Sequence, residues 1–228
     1  MGFLSSLFKG NKVSHAMPFE AFLRAFSDDP NLADKMIRDT KQSNRLMMAF
    51  CLACLHGGYT ITVEIRDSLA NLPSLPGAFP PEPFPFDAAV QEVIAFVFYT
   101  VMAEHMREED ETEEEDESES EQFRALKEAQ YLADSLAIKY IPARTPEYFR
   151  GRLLAYSLAS YKRKNLFEEA ANHVLRALLG GSGRASIDDV KKHTAIQHAL
   201  VSNMLPAIKD GVNRLYADWQ SNPVGFGS

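Results

Sequence analysis

Val93-Ile-Ala-Phe-Val-Phe-Tyr-Thr-Val-Met-Ala103 is the run from which the architecture can be read. Only Thr100 interrupts it, so wound as a helix it is apolar on every side and has no solvent face. Such a helix must be wrapped by others. Asp87 supplies a cap at its start and polar residues return by Arg107, which predicts a buried central helix over 87–107.

Outward from that helix, the neighbouring segments read as its covering. Upstream, Pro73 to Pro85 holds six prolines in 13 residues, interleaved with Phe79 and Phe84. That composition predicts a stiff, extended strap laying its rings on the core. Before it, Phe19, Phe22, Leu23 and Phe26 share one face of a helix over 18–26, and Asp28-Asp29-Pro30 separates it from a helix carrying Leu32, Met36 and Ile37. Asn44 to His56 is a strongly apolar helix, with Gly57-Gly58 read as its C-cap. Tyr59 to Leu72 fits both strand alternation and a helical stripe. A lone strand would lack a ladder partner, so a second helix starting near Thr62 is expected.

Downstream, helices are expected over 121–139, 145–164, 166–179 and from Ser186 to about Leu205, with Gly180-Gly181-Ser182-Gly183 as a break. Pro206 should kink or restart the last one, which carries Ile208, Val212, Leu215 and Trp219. The expectation is an all-α, irregular helical bundle of about eight helices. It comprises an amphipathic segment at 1–12, helical parts at 13–107 and 122–228 that form one domain, and an acidic, disordered loop at 108–121.

The 228 residues carry a net charge of -7, but the acid is concentrated. Residues 108–121 hold 11 of the 31 acidic side chains and no basic one; elsewhere 24 basic residues outnumber 20 acidic ones. A run this dense repels itself and stays solvated, serving as a spacer or as a polyanion mimic that covers the mildly basic C-terminal half. A hydrophobic content of 46% with 15 Phe excludes a mostly disordered chain. Two cysteines exclude a disulfide scaffold and point to a reducing compartment. No uninterrupted apolar run reaches 18 residues, so no membrane span is expected.

Chemistry-bearing motifs are sparse. Cys51-Leu-Ala-Cys54 lacks the adjacent His of a haem site and a second pair for zinc, and reads as core thiols. Glu169 with His173, and Asp189 with His193, are i,i+4 pairs on helix faces, the least unfavourable metal ligands in the chain. No catalytic residue and no cofactor is implied. The basic stretch Tyr161, Lys162, Arg163 and Lys164, with Tyr148, Arg150 and Arg152 upstream, is a candidate partner-binding surface. Phe3, Leu4, Leu7 and Phe8 form an apolar stripe followed by Lys9 and Lys12, which can dock on the protein's own core or lie on a membrane surface.

Within 153–178, Leu154, Tyr161, Phe167, Ala170, Val174 and Ala177 fall where a tetratricopeptide-type helical hairpin places its packing residues. The stretch resembles one such hairpin over 26 residues, with Leu158 and Asn165 standing where the repeat has other residues. A generic helical hairpin fits the same pattern. The resemblance implies a peptide- or protein-binding surface. The reading is therefore a non-catalytic, cytoplasmic adaptor or regulator with an unknown protein partner, with peripheral membrane contact as a second role. A helical metal protein or enzyme using His173 and His193, and a nucleic-acid binder using the basic C-terminal half, are the alternatives.

Overall fold

A computed structural model describes residues 19–26, 29–70, 86–110, 120–134, 146–179 and 194–221. The segment at 1–12, the proline-rich strap, most of the acidic run (111–119), the GGSG break and His193 lie outside the described residues. Within them the protein is all-α, with no strand. Among the described residues, eight α-helices have both ends defined: α1 (Phe19–Phe26), α2 (Pro30–Asp39), α3 (Arg45–Ala70), α4 (Phe86–Asp110), α5 (Glu121–Asp134), α6 (Pro146–Tyr161), α7 (Leu166–Leu179) and α8 (Leu205–Ser221); residues 194–199 are also helical.

The central helix is where the sequence places it. In α4, every residue from Glu92 to Ala103 except Thr100 is buried, and α3, α5, α6, α7 and α8 all pack against this helix. Its aromatic side chains key into the neighbours. Phe98 meets Phe50 of α3 and Phe149 of α6, with ring centroids 5.7 and 5.4 Å apart, and Phe96 meets Tyr156 of α6 and Phe167 of α7 at 5.9 and 5.3 Å. Cys51 and Cys54 sit in the same core as free thiols, and burial pushes the pKa of both upward. They are packing residues with little thiolate character.

One local reading changes. Gly57-Gly58 does not end a helix: α3 runs unbroken from Arg45 to Ala70, absorbing both expected helices and excluding a strand at 59–70. The glycines serve close approach. A Cβ on Gly57 would lie 2.5 Å from Ile208 Cγ2 of α8, and one on Gly58 would lie 3.0 Å from Ile94 Cγ1 and 3.1 Å from the Val90 carbonyl oxygen of α4. Two adjacent residues thus let α3 press against two different helices. On α2, Leu32 is exposed, whereas Met36 and Ile37 pack on the core. Pro206 lies where a helix restarts, as expected, since α8 begins at Leu205. It follows a π-helical turn over Leu200–Met204, in which the Leu205 amide donates to the Leu200 carbonyl. The wider turn absorbs the hydrogen bond that proline removes.

Two helical spans, Gln42–Asp67 and Phe86–Met106, are long and apolar enough to cross a membrane by length and composition, contrary to the expectation from uninterrupted runs. An average over a window tolerates the isolated polar residues that break a run. In the second span, 78% of the apolar window is buried inside the protein, so the bundle itself uses that apolar surface.

Local sequence explains the helix ends that organise the C-terminal half. Asn165 caps α7, its Oδ1 accepting from the Phe167 amide at 3.0 Å. Before it, α6 closes with the Lys164 amide donating to the Ala159 carbonyl at 2.9 Å and the Arg163 amide to Ser160 at 2.8 Å. Arg163 stands at φ 52°, the left-handed position of this closing motif that glycine fills most easily.

Candidate functional site

The seven residues of the predicted partner-binding surface divide between the interior and the surface. Tyr148, Arg152 and Tyr156 follow one another at four-residue spacing on α6 and so share a face. That face looks inward. Arg152 Nη2 donates to Glu92 Oε1 of α4 at 2.7 Å, and the Tyr148 hydroxyl donates to the same oxygen. The guanidinium also lies 5.2 Å from the centre of the Tyr148 ring. Glu92 is only 3% exposed. A carboxylate so placed is tolerable because a cation and a hydroxyl replace water around it.

Arg150, Lys162, Arg163 and Lys164 remain exposed, and Tyr161 is half-buried. Lys164 Nζ pairs with Glu169 Oε1 at 2.9 Å, which ties the turn to the first turn of α7. Arg150, Lys162 and Arg163 are therefore the outward-facing basic part of the predicted surface. The membrane-contact residues Phe3, Leu4, Leu7 and Phe8 lie outside the described residues.

A second buried carboxyl was not singled out from the sequence. Glu128 of α5 accepts hydrogen bonds from the Tyr99 hydroxyl of α4 at 3.1 Å and from the Ser157 hydroxyl of α6. Tyr99 in turn stacks on Tyr156, with centroids 5.8 Å apart. The two carboxyls thus bracket α6, with Glu92 reaching it from α4 and Glu128 from α5. The signal for Glu92 was available: it is the one charged residue between Ala88 and Ala103. Glu128 was harder to find, because α5 also carries charges that face solvent.

Electrostatics follow from this burial. Tyr148 is pushed up to about 12 by burial, with the Glu92 hydrogen bond reinforcing the shift. Burial opposes the charge on Arg152, but the Tyr148 hydrogen bond and the Glu92 charge together leave its pKa raised. Burial pushes Tyr156 well above the ordinary phenol range, and the Glu92 charge adds to it. His173 of α7 meets Tyr156 edge to face at 5.8 Å. Its pKa is lowered, by burial first and then by the charge of Arg152.

The lowered His173 value makes a prediction. The unfolded chain takes up this proton near pH 6.5, whereas the folded protein resists it until lower pH. The stabilising contribution is therefore complete above about 6.5 and is lost as pH falls through the folded value. The urea midpoint should drop between pH 7 and pH 5, and His173→Gln should flatten part of that drop. Parallel pH profiles for the two proteins would remove His173 from the account.

Among the described residues, no group of three His, Cys, Asp or Glu side chains is placed to hold a metal ion. His173 has Tyr156 as its described ring neighbour, and its proposed companion His193 lies outside the described residues. What the arrangement does provide is a polar interior binding α4, α5, α6 and α7 together, with exposed basic residues outside it. Fold and site together define an all-α bundle organised round a buried polar cluster. Comparison with protein-family models, curated proteins and solved structures finds no match for the chain.

Proposed function

We propose that this is a non-catalytic protein-interaction module, an adaptor or regulator, whose contact surface is the outer side of α5 with the basic α6–α7 turn. The observation that carries the reading is on α5. Phe123, Leu126 and Tyr131 are 47%, 52% and 63% exposed, and they account for three of the five exposed large apolar side chains among the described residues. Helical spacing puts them within one broad arc of α5, while Ala125, Ala129, Leu132 and Ala133 face the core. Large apolar groups gathered on one exposed helix face are a recurrent mark of a contact surface, whereas scattered ones are ordinary. Aromatic residues are also the side chains that anchor interfaces.

The basic turn supports the same reading. Arg163 holds a left-handed conformation that would cost glycine nothing, which is the kind of local compromise that accompanies function. With Arg150 and Lys162 it favours a partner whose contact surface is acidic at the rim and apolar at the centre. The acidic run at 108–121 would compete for those basic groups and tune access. Free cysteines fit a cytoplasmic setting.

The test uses the full-length protein as bait in source lysate, beside Phe123→Ser/Leu126→Ser/Tyr131→Ser and a variant lacking 108–121. The expected result is a stoichiometric partner lost by the triple variant and changed in recovery by the deletion. Equal recovery on wild-type and triple-variant bait would remove α5 as the surface. The membrane-facing role of Phe3, Leu4, Leu7 and Phe8 is tested separately: deleting residues 1–10 should reduce partition into vesicles, and unchanged partition would end that idea.

A further inference from the structure

Three buried polar atoms, one on each of three helices, have no hydrogen-bond partner among the described residues: Glu92 Oε2 of α4, the Tyr156 hydroxyl of α6 and His173 Nδ1 of α7. Their side chains are neighbours. Arg152, one turn before Tyr156, holds Glu92 through Oε1 and leaves Oε2 unused. The Tyr156 and His173 rings are in edge-to-face contact. Glu92 and Arg152 lie close enough to both rings for their charges to act on them.

The chemistry of the three atoms narrows what would satisfy them. A carboxylate oxygen only accepts, a phenol hydroxyl donates and accepts, and an imidazole nitrogen does one or the other according to its tautomer. The Glu92 charge is already balanced by Arg152, and Arg176 adds a second positive charge near His173, so a further cation is disfavoured. Tyr156 is 0% exposed, so its hydroxyl is not open to an organic ligand arriving from solvent. Water is the molecule that matches: small, neutral, with two donors and two acceptors. Buried waters typically make about three hydrogen bonds to polar groups otherwise left unpaired.

We propose that Glu92 Oε2, Tyr156 Oη and His173 Nδ1 line a buried hydration site at the junction of α4, α6 and α7. At least one structural water there links the three helices, so the α6–α7 hairpin is fastened to the central helix partly through solvent. The Tyr156 hydroxyl is then a bonded group, and the sign of its deletion becomes informative.

Tyr156→Phe removes the hydroxyl and keeps the ring that packs on Phe96, Tyr99 and His173. Loss of a single buried hydrogen bond in a chain of this size should lower Tm by about 2–4 °C. Oxygen-17 relaxation dispersion should count fewer long-lived internal waters in the variant. An unchanged or higher Tm would mean that the hydroxyl was unpaired, and would overturn the proposal. A high-resolution crystal structure of the wild-type protein decides the matter even if the variant fails to fold. Water density within hydrogen-bonding reach of Glu92 Oε2 and at least one of the other two atoms is the expected result. A direct Tyr156–His173 hydrogen bond with no water, or density too large for water, would also overturn it.

Discussion

Arg152→Met should destabilise the protein by an amount approaching the roughly 3–5 kcal/mol lost when one partner of a fully buried ion pair is removed. The loss is reduced because the Arg152 side chain is 26% exposed. Methionine preserves much of the aliphatic stem, so the loss isolates the charge. Without the guanidinium, Glu92 keeps the Tyr148 hydroxyl on Oε1 but no longer has the cation 2.7 Å away. Phe96, one turn further along α4 on the same face, is buried and offers nothing to a carboxylate. The double variant Glu92→Leu/Arg152→Met should recover most of the loss, because it removes the stranded charge together with its partner. Urea denaturation of the wild type, both single variants and the double variant gives the coupling energy. A loss below about 1 kcal/mol for Arg152→Met would place the pair with ordinary surface bridges, and the buried-cluster account would fail.

Gly57→Ala should cost about 1–2 kcal/mol net. The added methyl would meet Ile208 Cγ2 at 2.5 Å, too close for any real contact, so α3 and α8 must separate or Ile208 must leave its rotamer. Overpacking of this kind costs about 1–3 kcal/mol, against which the better helix propensity of alanine returns up to about 1 kcal/mol. Ile208 is stiff because it branches at Cβ, so the methyl cannot simply swing aside. Gly151 is the matched control. It also lies within a helix, on α6, and a Cβ there would meet nothing within 4 Å. Gly151→Ala should therefore stabilise by about 0.5–1 kcal/mol. The same substitution thus has opposite signs at two helical glycines. If Gly57→Ala also stabilised, the close approach of α3 and α8 would be wrong.

The helices were legible because their signals are local. An apolar run broken only by Thr100, such as Val93 to Ala103, admits little except burial nearly all round, and that is where α4 lies. Cys51 and Cys54 were readable as core residues for the same reason, since their helix offers apolar neighbours and no ligands. Asp29 and Pro30 mark a helix start by chemistry confined to adjacent residues: the Asp29 side chain accepts from the Asn31 amide at 2.9 Å.

The candidate site was legible only in part. Tyr148 and Arg152 were picked out for their charge and aromatic character and placed with the surface basic residues. Periodicity shows which residues share a face, but it leaves open which face meets the core when both carry polar groups. Arg152 turned inward because a carboxylate from another helix waits there, 60 residues away in sequence. The apolar arc of α5 was likewise not singled out. Phe123, Leu126 and Tyr131 look like core residues until packing assigns the core side to the alanines.

Sequence alone determined that the chain is all-α, that 93–103 lies at its centre and that its thiols are buried, because each follows from side chains within a few turns of one another. Tertiary structure decided the meaning of Gly57-Gly58, the inward turn of Arg152 and the neighbours of Tyr156. A glycine's missing Cβ serves a helix end and a helix crossing equally well, and a buried charge is defined by its partner. Both depend on which distant segment packs alongside, and that choice is made by the whole core at once.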